Sequence, residues 1–424
     1  MTVYADRTTK FVHTYFHALT HRNYRTFWLG QCVSLIGTWV QNICQAWLVL
    51  SLTKSPLLLG MLGLAQFLPL TVLSLFAGVL VDKFPKRAIL MVTQTVAMTL
   101  AFTTAALVFS GAIRFEHILV MAFLLGVSNT FDMPTRQSMN IELVGRDDLM
   151  NAVALNSMTF NLARIVGPSI GALLMATVGV GWCYALNGMT FIFVLFTLRQ
   201  LKLSPFIRAA RAGTTVWGEI RDGLSYIRSN ARLAQTVLFV AIVGTLGFNF
   251  NVLVPVLTKE VLGAGEATYG VLMSCLGVGS LIGALTIGMR SRSGPKLKLT
   301  ISLSLIVPIS LALLAFARTP AAAGALLLAC GFLNIAISTN SNSLLQMSAA
   351  DEYRARVMSV YTLVFAGSTP FGNLFTGWTA DKYGVDVAFI SCGALALALG
   401  AAVVYAFRGS GRREPLDEPA AHLL

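Results

Sequence analysis

Two charged residues fall deep inside apolar stretches of the sequence, Asp132 and Arg164. A carboxylate in such surroundings can carry a proton, and a guanidinium there must face a partner or a cavity. If the stretch holding Arg164 enters lipid near Ala152, a rise of 1.5 Å per residue sets the cation roughly 18 Å deep. That is near the middle of a hydrocarbon core about 30 Å thick. Asp132, approached from the opposite side, reaches a similar depth. The two could form a pair whose breakage accompanies substrate binding or proton uptake, or a permanent structural bridge. Asp132 could also pair locally with Arg136, one helical turn on. No histidine lies in the core of such a stretch, so Asp132 would carry most of any proton traffic, with Asp82 as a second carboxylate.

A second polar pattern consists of neutral amides. Gln31, Ser34, Thr38, Gln41 and Gln45 recur at spacings of three and four, which makes one stripe of one helix. Unsatisfied amides facing lipid would be costly, so the stripe must face other helices or water. Asn129, Asn249 and Asn334 lie within three further apolar stretches, and Trp39, Phe248 and Phe250 could add aromatic walls. Such a lining suits aromatic or amphipathic molecules better than small, strongly charged ones.

The same search finds no enzyme site. There is no HExxH helix, no recognisable nucleophile constellation, no paired-carboxylate site and no P-loop, so neither catalysis nor ATP hydrolysis is expected. The six cysteines (Cys32, Cys44, Cys183, Cys275, Cys330, Cys392) stand singly and read as small apolar residues. His13, His17 and His21 recur every fourth residue. That spacing admits a metal ion, but the polar face of an interfacial helix is the simpler reading. No metal and no cofactor are expected.

A membrane-spanning bundle must position these residues. Of 424 residues, 56% are hydrophobic and 12% charged, against roughly 25% charged in a soluble domain. The apolar runs are long and continuous with Gly and Pro inside them, unlike the short alternating strands of a membrane barrel. Runs at about 26–50, 57–81, 88–110, 117–138, 149–177 and 181–201 predict six helices. Runs at about 233–257, 268–289, 298–317, 322–346, 355–379 and 385–407 predict six more. With loops assigned alternately, one side receives only Lys54, Arg114, Lys259, Arg318 and Lys382. Arg164 lies inside a span, and every other Lys and Arg falls on the side of the N-terminus. Both termini are therefore expected in the cytoplasm. The formal charge of +13 does not point to nucleic acid, because the basic residues sit in short clusters between spans. The first 23 residues lack the apolar core of a cleavable signal peptide, so the first span would direct insertion.

The chain divides at residues 202–232, a basic stretch with Pro205 and an amphipathic piece from Trp217 to Ile227, which suits a linker along the membrane surface. The expected organisation is a cytoplasmic segment 1–23, bundles 24–201 and 233–407 on either side of that linker, and a cytoplasmic tail 408–424. The halves echo each other. Gly78, Pro85 and Lys86 after the second span correspond to Gly288, Pro295 and Lys296 after the eighth, with Arg292 in place of Asp82. The fifth span, from Ala154, lines up with the eleventh, from Ala355, and Gly171 falls on Gly372. Parallel repeats of six spans are the build of many secondary transporters.

These motifs resemble the major facilitator superfamily over roughly residues 20–407. Gly78-Val-Leu-Val-Asp82-Lys83-Phe-Pro85-Lys86-Arg87 is similar to its loop between helices 2 and 3, with Pro85 and Lys86 replacing the usual Gly-Arg pair. Asp132-Met-Pro134-Thr-Arg136 and Arg164-Ile-Val-Gly167-Pro168-Ser-Ile-Gly171 resemble the branch of enterobactin-type siderophore exporters and macrolide-efflux proteins. The resemblance implies an all-α integral membrane protein, with about twelve transmembrane helices in two pseudo-symmetric six-helix bundles.

Several roles follow from the resemblance. Asp82 would pair with the facing end of helix 11 and hold the outward-open state, with Gly78, Lys83, Lys86 and Arg87 completing the gate. The basic residues alone could instead fix orientation at the membrane surface. Gly167, Pro168 and Gly171 resemble an antiporter kink, with Ala163 and Ala172 where two further glycines are common. In the superfamily, helices 1, 4, 7 and 10 line the cavity, which nominates Gln41, Gln45, Asn129, Asn249 and Asn334. The implied function is alternating-access export of small amphipathic or aromatic molecules, siderophore or drug-like, with protons as coupling ion. A monomer in the lipid of a bacterial inner membrane is expected. A lipid or lysolipid flippase on this fold and a non-transporting sensor are the alternatives.

Overall fold

A computed structural model describes residues 16–81, 83–145, 147–203, 216–289 and 294–408. Among these residues every regular element is a helix. Helices meet all their backbone hydrogen bonds internally, which lipid demands. A short turn at His17–Thr20 precedes α1 (Arg22–Thr53), α2 (Pro56–Val81), α3 (Lys86–Phe109) and α4 (Phe115–Val144). Next come α5 (Leu149–Thr177), α6 (Val180–Gln200) and the linker helix α7 (Val216–Ser229). The second half contains α8 (Ala231–Leu246), α9 (Phe250–Val256), α10 (Glu266–Met289) and α11 (Leu297–Leu313). It ends with α12 (Pro320–Ser348), α13 (Asp351–Tyr383) and α14 (Val385–Ala406). Gly145 and Gly384 end α4 and α13 at φ 73° and 88°, a conformation that favours a residue without Cβ.

Eleven of these segments, with α8 and α9 taken together, are long and apolar enough to cross a membrane. The remaining long helix, α13, is 33 residues and buries Asn373, Thr376 and Thr379. The seventh span is interrupted. The chain leaves the helix at Gly247 and re-enters at Phe250. Asn249 Nδ2 donates to the Thr245 carbonyl at 2.8 Å, satisfying an acceptor near the break. A Cβ at Gly372 of α13 would lie 1.8 Å from the same carbonyl, so only glycine permits the approach.

Two compact units result, Met1–Gln45 with Val72–Arg211 and Ala46–Thr71 with Ala212–Leu424. Within the first, Tyr24 and Phe27 of α1 pack with Leu90, Met139, Leu143, Leu155 and Leu198 in one core. In the second, α10 and α12 meet through small residues. A Cβ at Gly331 would come within 2.1 Å of the Leu276 carbonyl, and one at Gly279 within 1.9 Å of the Leu328 carbonyl. Such contacts let helices pack where lipid supplies no hydrophobic drive between them. The amphipathic α7 seats Ile220 and Ile227 inward, and Tyr226 stacks on Tyr353 of α13 with ring centroids 4.3 Å apart.

Candidate functional site

The Asp132 carboxylate is buried on α4 and fully engaged. Its Oδ1 accepts hydrogen bonds from Thr93 Oγ1 and Gln94 Nε2 of α3, each at 2.8 Å. Its Oδ2 accepts from Arg136 Nε on its own helix. Ser128 Oγ donates to the Thr93 carbonyl at 3.0 Å, tying the two helices again. The network is not closed, since Arg136 Nη1 and Gln94 Oε1 are buried without a hydrogen-bond partner among the described residues. The Asp132–Arg164 pair that depth suggested is not formed. The local partner prevails because residues four apart share a helix face, and no second helix has to approach. Thr93 and Gln94 escaped the sequence reading. Their only signal was a polar pair inside an apolar run.

Arg164 lies on α5, partly exposed. It has neither an ion pair nor a hydrogen bond among the described residues. Below it, Gly167 and Gly171 form the face of α5 that meets α1. A Cβ at Gly167 would stand 2.4 Å from Trp39 Cβ, and one at Gly171 would stand 2.8 Å from Ile43 Cδ1. Pro168 sits inside the helix without ending it. Trp39 also packs edge-to-face on Phe160, centroids 5.7 Å apart.

The amide stripe of α1 turns into the first unit. Gln31, Ser34, Gln41 and Gln45 are all buried. Gln41 Oε1 accepts from Asn187 Nδ2 of α6 at 2.7 Å, and Thr190 Oγ1 donates to Asn187 Oδ1 at 3.0 Å. Gln41 and Gln45 border a cavity of about 10 Å³ with Thr104, Ile118, Met121 and Tyr184. That holds roughly one water, far less than a drug-sized molecule. Asn129 on α4 is half-buried and makes no hydrogen bond among the described residues. Asn249 and Asn334 are buried, with Nδ2 donating to the carbonyls of Thr245 and Cys330. Their Oδ1 atoms lack a partner among the described residues.

Gly78 lies in the last turn of α2. Asp82, and its counterpart Arg292, lie outside the described residues. Lys83 is exposed in the turn. Lys86 forms a 3.3 Å ion pair with Glu142 of α4, and Arg87 donates to the carbonyls of Leu201 and Arg199 at 3.2 and 2.8 Å. In the second half, Asn340 of α12 brackets Lys296, accepting from its N–H at 3.3 Å and donating to its carbonyl at 3.0 Å. In each half the loop lysine is thus held by the helix two places further on.

Residues 13–420 match the family described as transmembrane secretion effector. The chain belongs to that family, within the major facilitator superfamily. Members of the superfamily are multi-pass membrane transporters, not enzymes. This family member is 26% identical over 377 residues to the multidrug efflux pump Tap of Mycolicibacterium fortuitum, covering 87% of this chain and 92% of the relative. It is 22% identical over 360 residues to the staphyloferrin A transporter of Staphylococcus aureus, covering 85% and 90%. A crystal structure of the nucleoside transporter NupG superposes with a TM-score of 0.72 at 15% identity, covering 91% of this chain and 99% of that one. The last likeness concerns the fold alone.

Proposed function

We propose that this family member exports small amphipathic or aromatic molecules, siderophore or drug-like, by alternating access in exchange for protons. The observation that carries the reading is the buried Asp132 carboxylate, held by Arg136, Thr93 and Gln94. Protonation of Asp132 removes the charge that holds Arg136, and the pair re-forms when the proton leaves. Arg164, with no ion-pair partner among the described residues, offers the substrate a cation on the neighbouring helix, and Asn129 adds an amide. Gln41 and Gln45 shape that face from behind, through Asn187 and the small cavity. In the second unit, Asn249 and Asn334 keep buried amide oxygens without a hydrogen-bond partner among the described residues. Relatives named as a staphyloferrin A transporter and a multidrug efflux pump support this substrate range.

The skew of Lys and Arg supports cytoplasmic termini, in a bacterial inner membrane, with 24–201 and 233–407 as the two bundles, 202–232 as linker and the chain acting as a monomer. The loop Gly78, Asp82, Lys83, Lys86 and Arg87 gates the cytoplasmic side, while Gly167, Pro168 and Gly171 set the packing on which export depends. The test is uptake into everted vesicles of a labelled macrolide, a catecholate siderophore and an aromatic dye. Accumulation of at least one that ceases when the pH gradient is dissipated supports the reading. Accumulation indifferent to the gradient, or none above protein-free vesicles, overturns it.

A further inference from the structure

Asp148 occupies the N-cap of α5, where an aspartate ordinarily accepts a hydrogen bond from the next turn's backbone N–H. It makes no such cap. Both carboxylate oxygens turn instead to imidazoles of the N-terminal stretch. His17 Nδ1 lies 2.8 Å from Oδ1, and His21 Nε2 lies 2.6 Å from Oδ2. One ligand atom from each of the three side chains lies within 4.8 Å of the other two. The rings are set edge-to-face with centroids 6.3 Å apart, so they converge on the carboxylate instead of stacking on each other.

Contacts that do not involve the imidazoles hold this arrangement. Ala18, between the two histidines, is fully buried, and its N–H donates to Asn151 Oδ1 at 2.9 Å. The Tyr24 hydroxyl donates to the Ala152 carbonyl at 3.0 Å. The backbone of the stretch is therefore seated on the start of α5 before any ion arrives. The ligand atoms remain reachable, with the His17 and His21 side chains 50% and 38% exposed.

We propose that His17, His21 and Asp148 bind a divalent transition-metal ion of the zinc type. Two imidazole nitrogens and one carboxylate oxygen form a donor set that suits such ions and leaves a fourth position for water. The imidazoles bind as neutral ligands through Nδ1 of His17 and Nε2 of His21, each keeping its proton on the other ring nitrogen. Protons compete for the same nitrogens, so binding weakens in acid. The ion clasps the N-terminal stretch to the junction between α4, which bears Asp132, and α5, which bears Arg164. Its occupancy thereby stiffens the connection between the helix that carries Asp132 and the helix that carries Arg164.

The test is a Zn²⁺ titration of the purified whole chain, without a polyhistidine tag, against a chromogenic chelator. One ion per chain is expected. His17→Ala, His21→Ala and Asp148→Asn should each weaken binding by on the order of 100-fold or more. His117→Ala should bind as the unaltered protein does. Because a variant can fail to fold, the visible spectrum of Co²⁺ on the unaltered protein gives a second readout. Intense tetrahedral bands that Zn²⁺ abolishes support the site. A spectrum of the hydrated ion, no stoichiometric Zn²⁺ binding, or equal affinity in all three folded variants overturns it.

Discussion

Arg136 neutralises Asp132 one helical turn away, whereas Arg164 on the next helix has no ion-pair partner among the described residues. The two cations therefore hold different positions. Arg136 is bound to a carboxylate that a proton can release. A cation inside a membrane protein is retained only where it faces a cavity or a partner.

Arg164→Gln should leave the fold intact and weaken transport. Loss of one charge-assisted contact corresponds to roughly tenfold in apparent affinity. Substrate-dependence of vesicle uptake, compared with detergent-phase melting, separates this effect from misfolding. Unchanged affinity would exclude Arg164 from the substrate.

Gly167→Ala should destabilise the first unit by about 1–3 kcal/mol. The new methyl would meet Trp39 Cβ, which is fixed to the α1 backbone. Gly171→Ala should cost less, because the nearest atom there is the end of the Ile43 side chain, which can turn aside. Thermal unfolding of the two variants in the same detergent checks the order.

Gln41→Leu and Asn187→Leu should each strand one buried amide, costing about 1–2 kcal/mol. The double variant strands neither and should cost less than the sum. A double-mutant cycle is expected to return a coupling near 0.6 kcal/mol, the average inside membranes.

The His21 and His17 hydrogen bonds hold the Asp148 carboxyl below its ordinary value. A folded value below the unfolded one means the contact stabilises the seated stretch above the usual carboxylate range. That contribution is lost as pH falls through the lowered value, below about pH 4. In metal-free protein, hydrogen exchange at the Ala18 amide should accelerate in that window, and Asp148→Asn should remove the step.

The helices were largely legible because each apolar run is bounded by charge or glycine. The predicted 149–177 and the observed Leu149–Thr177 coincide, and the predicted 181–201 is close to Val180–Gln200. The break at Gly247–Asn249 was not legible, since the apolar run continues through it and the close approach of Gly372 to the Thr245 carbonyl beside it comes from another helix. The stripe from Gln31 to Gln45 showed that these amides avoid lipid, but not that Gln41 meets Asn187, because periodicity gives a face and not a neighbour. Depth pointed to Arg164 as the partner of Asp132, with Arg136 one turn on as a further possibility, and the local pair is the one formed. His17 and His21 shared a face in the sequence. That Asp148 faces them depends on the α4–α5 turn, more than a hundred residues away.

The most direct measurement is proton movement caused by a transported compound. Everted vesicles holding a pH gradient, monitored by a fluorescent pH indicator, should release protons when the compound is added. Vesicles with Asp132→Asn, matched for folded protein, should release none. Compound-driven release that persists unchanged in Asp132→Asn would contradict the assignment of proton coupling to the Asp132–Arg136 pair.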